Sequence, residues 1–313
     1  MEKLIVSSSP HFHGKTTTAG IMRDVLIALS PATIAAVVLY GIKALIIISV
    51  CVATSVLSEF IFNIIAKKKQ TVGDLSAIVT GLLLALSLST RVSIWHCVVG
   101  SVFAIVVVKC LFGGIGCNFA NPAVTARVML LIAFGKVAGG SATRFMSAEL
   151  TASATPLSVI KDGEGLLPSL TDMLVGNRGG AIGEVCAIAL VLGFSYLVIR
   201  RVISWETPVI FVATVFVLSL IVKQDLTAAL YQVLGGGLLL GAIFMATDYV
   251  TTPITRSGKA VFALGCGIIT VLIRFWGDYP EGVSFAILFM NILTPYIERL
   301  CRNKPIGGVK NEK

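Results

Sequence analysis

The run Thr151-Ala152-Ser153-Ala154-Thr155-Pro156-Leu157-Ser158 lies in the one polar stretch of an otherwise apolar chain, roughly residues 135–180. Its small side chains leave the backbone accessible, and Thr155 presents a hydroxyl that can be esterified. A Ser/Thr-rich connecting loop has the same composition, so the run takes its meaning from what surrounds it. Charge inside an apolar span is costly and marks function by default. Glu59, Arg127, Glu184 and Arg274 are therefore the other candidates. Arg127 lies one turn beyond Asn121-Pro122 and could meet an anion. Glu59 and Glu184 could line a cation path. Either arginine could instead snorkel or pair with a carboxylate.

The elements that must position these groups are helices in a bilayer. Of 313 residues, 56% are hydrophobic and 13% charged, and mean hydropathy is +0.93. Soluble domains carry about a quarter charged residues. The apolar runs are continuous, which suits helices of about 20 residues and not the alternating strands of a barrel. The expected fold is an all-α polytopic membrane protein with about ten spans: 24–41, 43–65, 74–90, 93–111, 120–135, 181–199, 204–222, 228–247, 260–276 and 283–299. Met1 to Val6 holds too short an apolar run for a signal peptide, so the first span must direct insertion.

An even count places both termini on one side. With the N-terminus inside, sixteen Lys and Arg fall in cytoplasmic segments and seven outside, a clear positive-inside bias. The net charge of +9 then serves topology, and no nucleic-acid partner is expected. The polar stretch and Thr155 fall on the extracytoplasmic face.

Weak self-similarity divides the chain. Gly81-Leu82-Leu83-Leu84 matches Gly237-Leu238-Leu239-Leu240, and Gly116 to Ala126 matches Gly277 to Ala286, at offsets of 156, 161 and 160 residues. A repeat of five spans must be inverted, the architecture that holds a site where broken helices meet. The expected organisation is a five-helix repeat over 1–135, an extracytoplasmic loop over 136–180, and a second five-helix repeat with a short cytoplasmic tail over 181–313. Gly113-Gly114-Ile115-Gly116 before Asn121-Pro122, and Gly277 to Gly282, are the expected breaks.

Other chemistries fit poorly. His13-Gly14-Lys15-Thr16-Thr17 has Ser9 where a phosphate loop needs glycine. Seven scattered cysteines without a CxxC pair, and only His11, His13 and His96, predict no metal site.

Ser7-Ser8-Ser9-Pro10-His11, the segment from Gly113 to Arg127, Ser153 to Ser158, and Gly176-Asn177-Arg178-Gly179-Gly180-Ala181-Ile182-Gly183-Glu184 together resemble one family. It is the RnfD family, a membrane component of the Rnf ion-translocating electron-transport complex, related to NqrB of the sodium-pumping NADH:quinone reductase. The resemblance covers nearly the whole chain, and the length favours the Rnf member, since the quinone-reductase relative carries an N-terminal extension. It implies FMN joined to Thr155 by a phosphoester that a separate flavin transferase makes, with Ser153, Ala154 and Ser158 as motif neighbours. Ser153 stands where the family more often has glycine, and Glu149 near where an aspartate is usual.

The resemblance also implies a non-covalent riboflavin, for which Asn121 and Arg127 are the candidate contacts. It implies a bacterial plasma-membrane location among lipid, and partner subunits that include a second flavin-bearing subunit and iron–sulfur subunits. Electrons from ferredoxin would pass through this membrane region, coupled to Na⁺ or H⁺ movement, with no ferredoxin or NAD site on this chain. The alternative is a channel or secondary transporter, because the family's fold resembles urea and ammonium channels; under it Thr155 carries nothing.

Overall fold

The computed structural model describes residues 17–138, 156–162, 167–176, 178–184, 186–277, 279 and 281–301. Among these the regular structure is helical: α1 (Thr18–Tyr40), α2 (Ile42–Ile65), α3 (Ser76–Ser87), α4 (Ile94–Cys110), α5 (Pro122–Ala138), α6 (Pro156–Asp162), α7 (Leu170–Val175), α8 (Ala187–Ile199), α9 (Glu206–Lys223), α10 (Leu226–Leu234), α11 (Leu238–Met245), α12 (Arg256–Trp276) and α13 (Val283–Leu300). Thr155, Ser153 and Ala154 lie outside the described residues, as does the side chain of Ser158 within α6.

Five helices, α1, α2, α9, α12 and α13, are long and apolar enough to cross a membrane, and the pair α10–α11 makes a sixth candidate bent by 57°. The segments expected as full spans at 74–90, 93–111, 120–135 and 181–199 form shorter apolar helices instead. Proline explains the late start of α5, and glycine the bend between α10 and α11. Asn121-Pro122 starts α5 late: Pro122 takes the first helical position, where its missing N–H costs nothing, and Asn121 Oδ1 accepts from the amides of Ala123 (3.0 Å) and Val124 (3.3 Å). Gly236 and Gly237, both at positive φ, separate α10 from α11. The second halves of α4 and α11 relax into wider π turns.

The two halves pack in matching ways. Helix α2 lies against α3 and α4, and α9 against α10 and α12. Across the middle, α1 meets α8 and α5 meets α13. Close approach relies on small residues, since lipid tails supply no hydrophobic drive between helices. A Cβ on Gly193 of α8 would overlap the Ala28 carbonyl oxygen of α1. One on Gly81 of α3 would lie 2.8 Å from the Cys51 carbonyl oxygen of α2. Many large side chains on the outer faces, among them Ile34, Val38, Ile65, Ile132 and Ile199, are exposed to where lipid or partner subunits would sit.

Gly193→Val should therefore separate α1 from α8 and destabilise the bundle by about 1–3 kcal/mol, read as a lower thermal midpoint in detergent. Gly73→Ala, where an added Cβ meets nothing within 4 Å, should melt as the parent does. Equal midpoints for the parent and both variants would contradict the packing.

Candidate functional site

Polar groups collect at three levels. Helices α9 and α12 give the scale: Thr207 and Lys259 near their N-termini line a cavity at one end, and Lys223 with Arg274 and Phe275 near their C-termini line one at the other. Sixteen residues of helix separate Thr207 from Lys223, a rise of about 24 Å.

Beside the N-termini of α9 and α12, a cleft that shares Val202, Ile203, Thr247 and Tyr249 with the cavity there encloses about 770 Å³ of empty space, part of it open to solvent. Its polar rim comprises Ser76 and Thr80 of α3, Lys109 of α4, Asn118 and Asn121 before α5, and Thr247 and Asp248 after α11. Met22, Val25, Leu83, Leu197 and Phe244 supply apolar walls. The loop after α11 is held by its own side chains: Thr252 Oγ1 donates to the Asp248 carbonyl oxygen (2.7 Å), and Asn121 Nδ2 to the Met245 carbonyl oxygen (3.4 Å). Asn291 of α13, its amide oriented as its neighbours require, accepts from the Asn121 amide (3.1 Å) and donates to the Thr251 carbonyl oxygen (3.2 Å). Burial pushes the Asp248 carboxyl above the usual carboxylate range. The buried Asn118 Oδ1 has no partner.

Behind the cleft, Lys109 Nζ lies 2.9 Å from both Glu59 oxygens, the two side chains only 2% and 1% exposed. Thr71 Oγ1 donates to Glu59 Oε1 (2.6 Å), and Lys109 donates to Ser76 Oγ (2.5 Å). Removing either partner would strand a buried charge, which is the costly event for such pairs.

The middle level is a seam of charge around Gly235–Gly237. Arg127 of α5 pairs with Glu281, from the break before α13. Arg274 of α12 donates to the carbonyl oxygens of Gln232 (2.5 Å), Gly235 (3.1 Å) and Gly236 (3.3 Å), and to Gln232 Oε1 (3.1 Å). Arg178 donates to the carbonyl oxygens of Glu184 (2.8 Å) and Leu234 (2.5 Å). Glu184 Oε1 accepts from the Ala181 amide (2.8 Å), while its Oε2 has no partner. That oxygen and Arg127 Nη1 flank Gly237, lying 3.3 and 3.6 Å from where a Cβ would stand. Burial raises the Glu281 carboxyl, with Glu184 adding to the rise and Arg127 and Arg274 opposing it. Burial also lowers the Arg178 guanidinium, against the pull of Glu184.

The backbone is completed at the same level. Helix α3 ends at Ser87, and the turn over 181–184 supplies donors to its last carbonyls: the Gly183 amide to Leu86 O (2.7 Å) and the Ile182 amide to Leu88 O (2.9 Å). Arg178 and Arg274 perform the same task for the end of α10.

At the far end α6, which follows Thr155 directly, is fixed in place. Leu157 is buried against the glycine break: a Cβ on Gly236 would overlap Leu157 Cδ1. Lys161 Nζ donates to the Gly277 carbonyl oxygen. The second cavity opens here, lined by Leu157, Ile160, Lys161, Lys223, Gln232, Arg274 and Phe275.

The candidate residues thus separate. Asn121 lines the cleft and Glu59 lies behind it. Arg127, Glu184 and Arg274 share the seam. Asn121 and Arg127 are not brought to one site. Lys109, near the end of the expected span 93–111, and Arg178, in the polar stretch, both enter the count of cations on the two sides, and both are buried, at 2% and 6% exposure. Lys109, Asp248 and Glu281 were not among the residues expected at a site. Lys109 closes an apolar span just before the Gly113 break, while Asp248 and Glu281 lie between apolar runs, in positions that read as ordinary loop. Among the described residues no group of three His, Cys, Asp or Glu could hold a metal, and the cysteines are free thiols.

The chain matches the model of the NQR2, RnfD, RnfE family over residues 5–307. It belongs to that family. It is 45% identical to the D subunit of the Na(+)-translocating ferredoxin:NAD(+) oxidoreductase complex of Acetobacterium woodii, the alignment covering 99% of this chain and 97% of that one. It is 36% identical to the D subunit of the proton-translocating ferredoxin:NAD(+) oxidoreductase complex of Clostridium ljungdahlii, over 96% of each. It is 31% identical to the D subunit of the ion-translocating oxidoreductase complex of Methanosarcina acetivorans, over 100% of each. These relatives are named for sodium, for protons and for an unspecified ion, so kinship at this level spans both coupling ions.

Arg127→Ala should leave Glu281 buried without its partner and cost about 3–5 kcal/mol. Adding Glu281→Ala should recover part of the loss. A double variant that melts no higher than Arg127→Ala would contradict the pairing.

Proposed function

We propose that this chain is the membrane subunit of an ion-translocating ferredoxin:NAD(+) oxidoreductase complex, carrying electrons between its two faces through FMN esterified to Thr155 and a non-covalent riboflavin in the cytoplasmic cleft. The relatives' names support the complex and its reaction. The observation that carries the relay is the separation of the cleft, which adjoins the cavity at the N-terminal ends of α9 and α12 through Val202, Ile203, Thr247 and Tyr249, from the cavity at their C-terminal ends, beside the helix that follows Thr155. A flavin supplies one- and two-electron chemistry when bound.

The residues present suit these groups. The cleft has apolar walls and polar groups at one rim, the make-up of a small-molecule site. The unpartnered Asn118 Oδ1 and the Asn121 amide are suited to the edge of a flavin ring. Asn121 keeps its expected role there, while Arg127 acts in the seam. The pinned α6, which begins at the residue after Thr155, lines the outer cavity, and a group carried on Thr155 is assigned to the extracytoplasmic face. There it would meet the second flavin-bearing subunit, with iron–sulfur subunits serving the cytoplasmic side.

The pairings α1 with α8 and α5 with α13 support two inverted five-helix repeats and ten crossings, with both termini cytoplasmic. The starts of α4 and α12 are 162 residues apart and those of α5 and α13 are 161 apart. Coupling of electron flow to Na⁺ or H⁺ is assigned to the buried carboxylates, Glu59 behind the cleft and Glu184 in the seam. A cation or proton passing either must be exchanged against Lys109 or the arginines.

After denaturing electrophoresis of the complex, made together with a flavin transferase, this chain should fluoresce, and Thr155→Val should be dark. Thr80→Phe, which fills the cleft, should lose acid-extractable riboflavin and keep the fluorescent band. A dark parent band, with the transferase active on another substrate, would remove the covalent flavin and bring the channel or transporter reading forward. Riboflavin retained by Thr80→Phe would remove the cleft assignment.

A further inference from the structure

A buried ion pair is a poor staple, because apolar residues of similar volume commonly hold helices together as well. The orientation of Lys109 and Glu59 points to another use. Lys109 and Ser76 line the cleft, whereas Glu59, Thr71 and Asp74 lie outside its lining. Lys109 Nζ is 2.9 Å from both Glu59 oxygens and 2.5 Å from Ser76 Oγ. The pair is thus set end-on, with its positive end to the cleft and its negative end behind. The neighbours fix that direction. Thr71 Oγ1 donates to Glu59 Oε1 (2.6 Å). Ser76 Oγ turns its proton to Asp74 Oδ1 and offers its lone pair to Lys109. Lys109 also stands near the end of the π-wound half of α4, Phe103–Cys110, a rare winding that recurs at functional sites.

Asp248 is the acid among the described residues that line the cleft. It accepts from the Val250 amide (3.2 Å), Thr251 Oγ1 (3.3 Å) and Asn121 Nδ2 (3.5 Å). Burial pushes its carboxyl toward the neutral form, so it offsets Lys109 by less than a full charge would. We propose that Lys109 sets the reduction potential of the flavin in the cleft, with Glu59 and Ser76 as positioning residues that aim its charge. The inference rests on the riboflavin assigned to the cleft above. Reduction adds negative charge to the ring, and a positive end already fixed in place stabilises that charge without reorganisation. Glu59 tempers the effect from farther off, so the pair acts as a dipole and not as a free cation.

The test is a redox titration of the purified complex, followed by flavin absorbance, for the parent and for Lys109→Met/Glu59→Gln. The double variant removes both charges and nearly keeps side-chain size, so it strands no lone charge. Thr80→Phe, which fills the cleft, identifies the cleft flavin as the component missing from its titration. In the double variant that component should become harder to reduce, its reduced-to-oxidised ratio at a given potential falling about tenfold. The other flavins should titrate as in the parent, and acid-extractable riboflavin should be retained. Ser76→Ala keeps both charges but frees Lys109 from its anchor at the cleft, and should shift the same component in the same direction by about threefold. If the double variant does not assemble, Ser76→Ala decides. A cleft component that titrates as in the parent, or becomes easier to reduce, would overturn the inference and leave the cleft assignment standing. Riboflavin lost from the double variant would make Lys109 a residue that holds the flavin, and would overturn it too. A Thr80→Phe titration with no component missing would defeat the cleft assignment and this inference with it.

Discussion

Every backbone amide and carbonyl buried in the bilayer must find a partner inside the protein, and this chain breaks its helices where that demand is hardest to meet. Helix α3 stops at Ser87 and α10 at Leu234. The carbonyls left open at one break are taken by the amides of Ile182 and Gly183, and those at the other by the guanidinium groups of Arg178 and Arg274. Both solutions draw on the segment Gly176 to Glu184 or its immediate surroundings. That explains why a glycine-rich run with one arginine and one glutamate stands at the joint between the two halves. The three arginines bring positive charge that Glu184 and Glu281 balance in part, and the seam is the result. Helix breaks, charge seam and half-to-half contact are one arrangement.

That arrangement also decides where cavities can form. The cleft lies at the opposite ends of the short helices α3, α5 and α11 from the seam, rimmed by Ser76 and Thr80 where α3 opens, by Asn118 and Asn121 before α5, and by Thr247 and Asp248 after α11. At the other end, the short α6 fills the ground above the α10 break but leaves a cationic hollow beside it. The ends are separated by the length of α9, with charged residues buried between them. A relay needs two sites held apart, and a bundle with unbroken helices would offer neither of them.

Much of this was legible from residue order because the bilayer leaves few options. Continuous apolar runs gave helices, and Gly113 to Gly116 with Asn121-Pro122, and Gly277 to Gly282, marked two of the breaks. Those after Ser87 and at Gly235 to Gly237 fall in segments that read as the unbroken spans 74–90 and 228–247. Glycine at positive φ and a proline at a first helical position are local signals, readable one residue at a time. Lys109 and Arg178 were not legible in this way. Lys109 reads as a charge at the end of an apolar span and Arg178 as a loop charge, and each is buried by a partner 50 or 56 residues away: Glu59 for Lys109, Leu234 for Arg178. Setting both aside leaves fifteen cations inside against six outside, so the bias still favours a cytoplasmic N-terminus. Asp248 and Glu281 escaped notice for a related reason. A carboxylate between two apolar runs normally faces water, and only the folded chain tucks these loops back between helices. Arg127 was singled out correctly as a costly buried charge, but its partner could not be read from spacing, because Glu281 is 154 residues distant.

A relay through this bundle requires its two cavities to face opposite sides of the membrane. Cys117 is exposed in the loop at the cleft, and Lys161 is exposed beside the cavity at the other end of the bundle. Labelling with a membrane-impermeant thiol reagent compares them directly, using one chain that keeps only Cys117 and another that carries only Lys161→Cys. Cys117 should label in inverted vesicles and stay protected in intact cells, with the opposite pattern at position 161. Labelling of both positions from the same face would contradict a relay that runs between the two ends of this bundle.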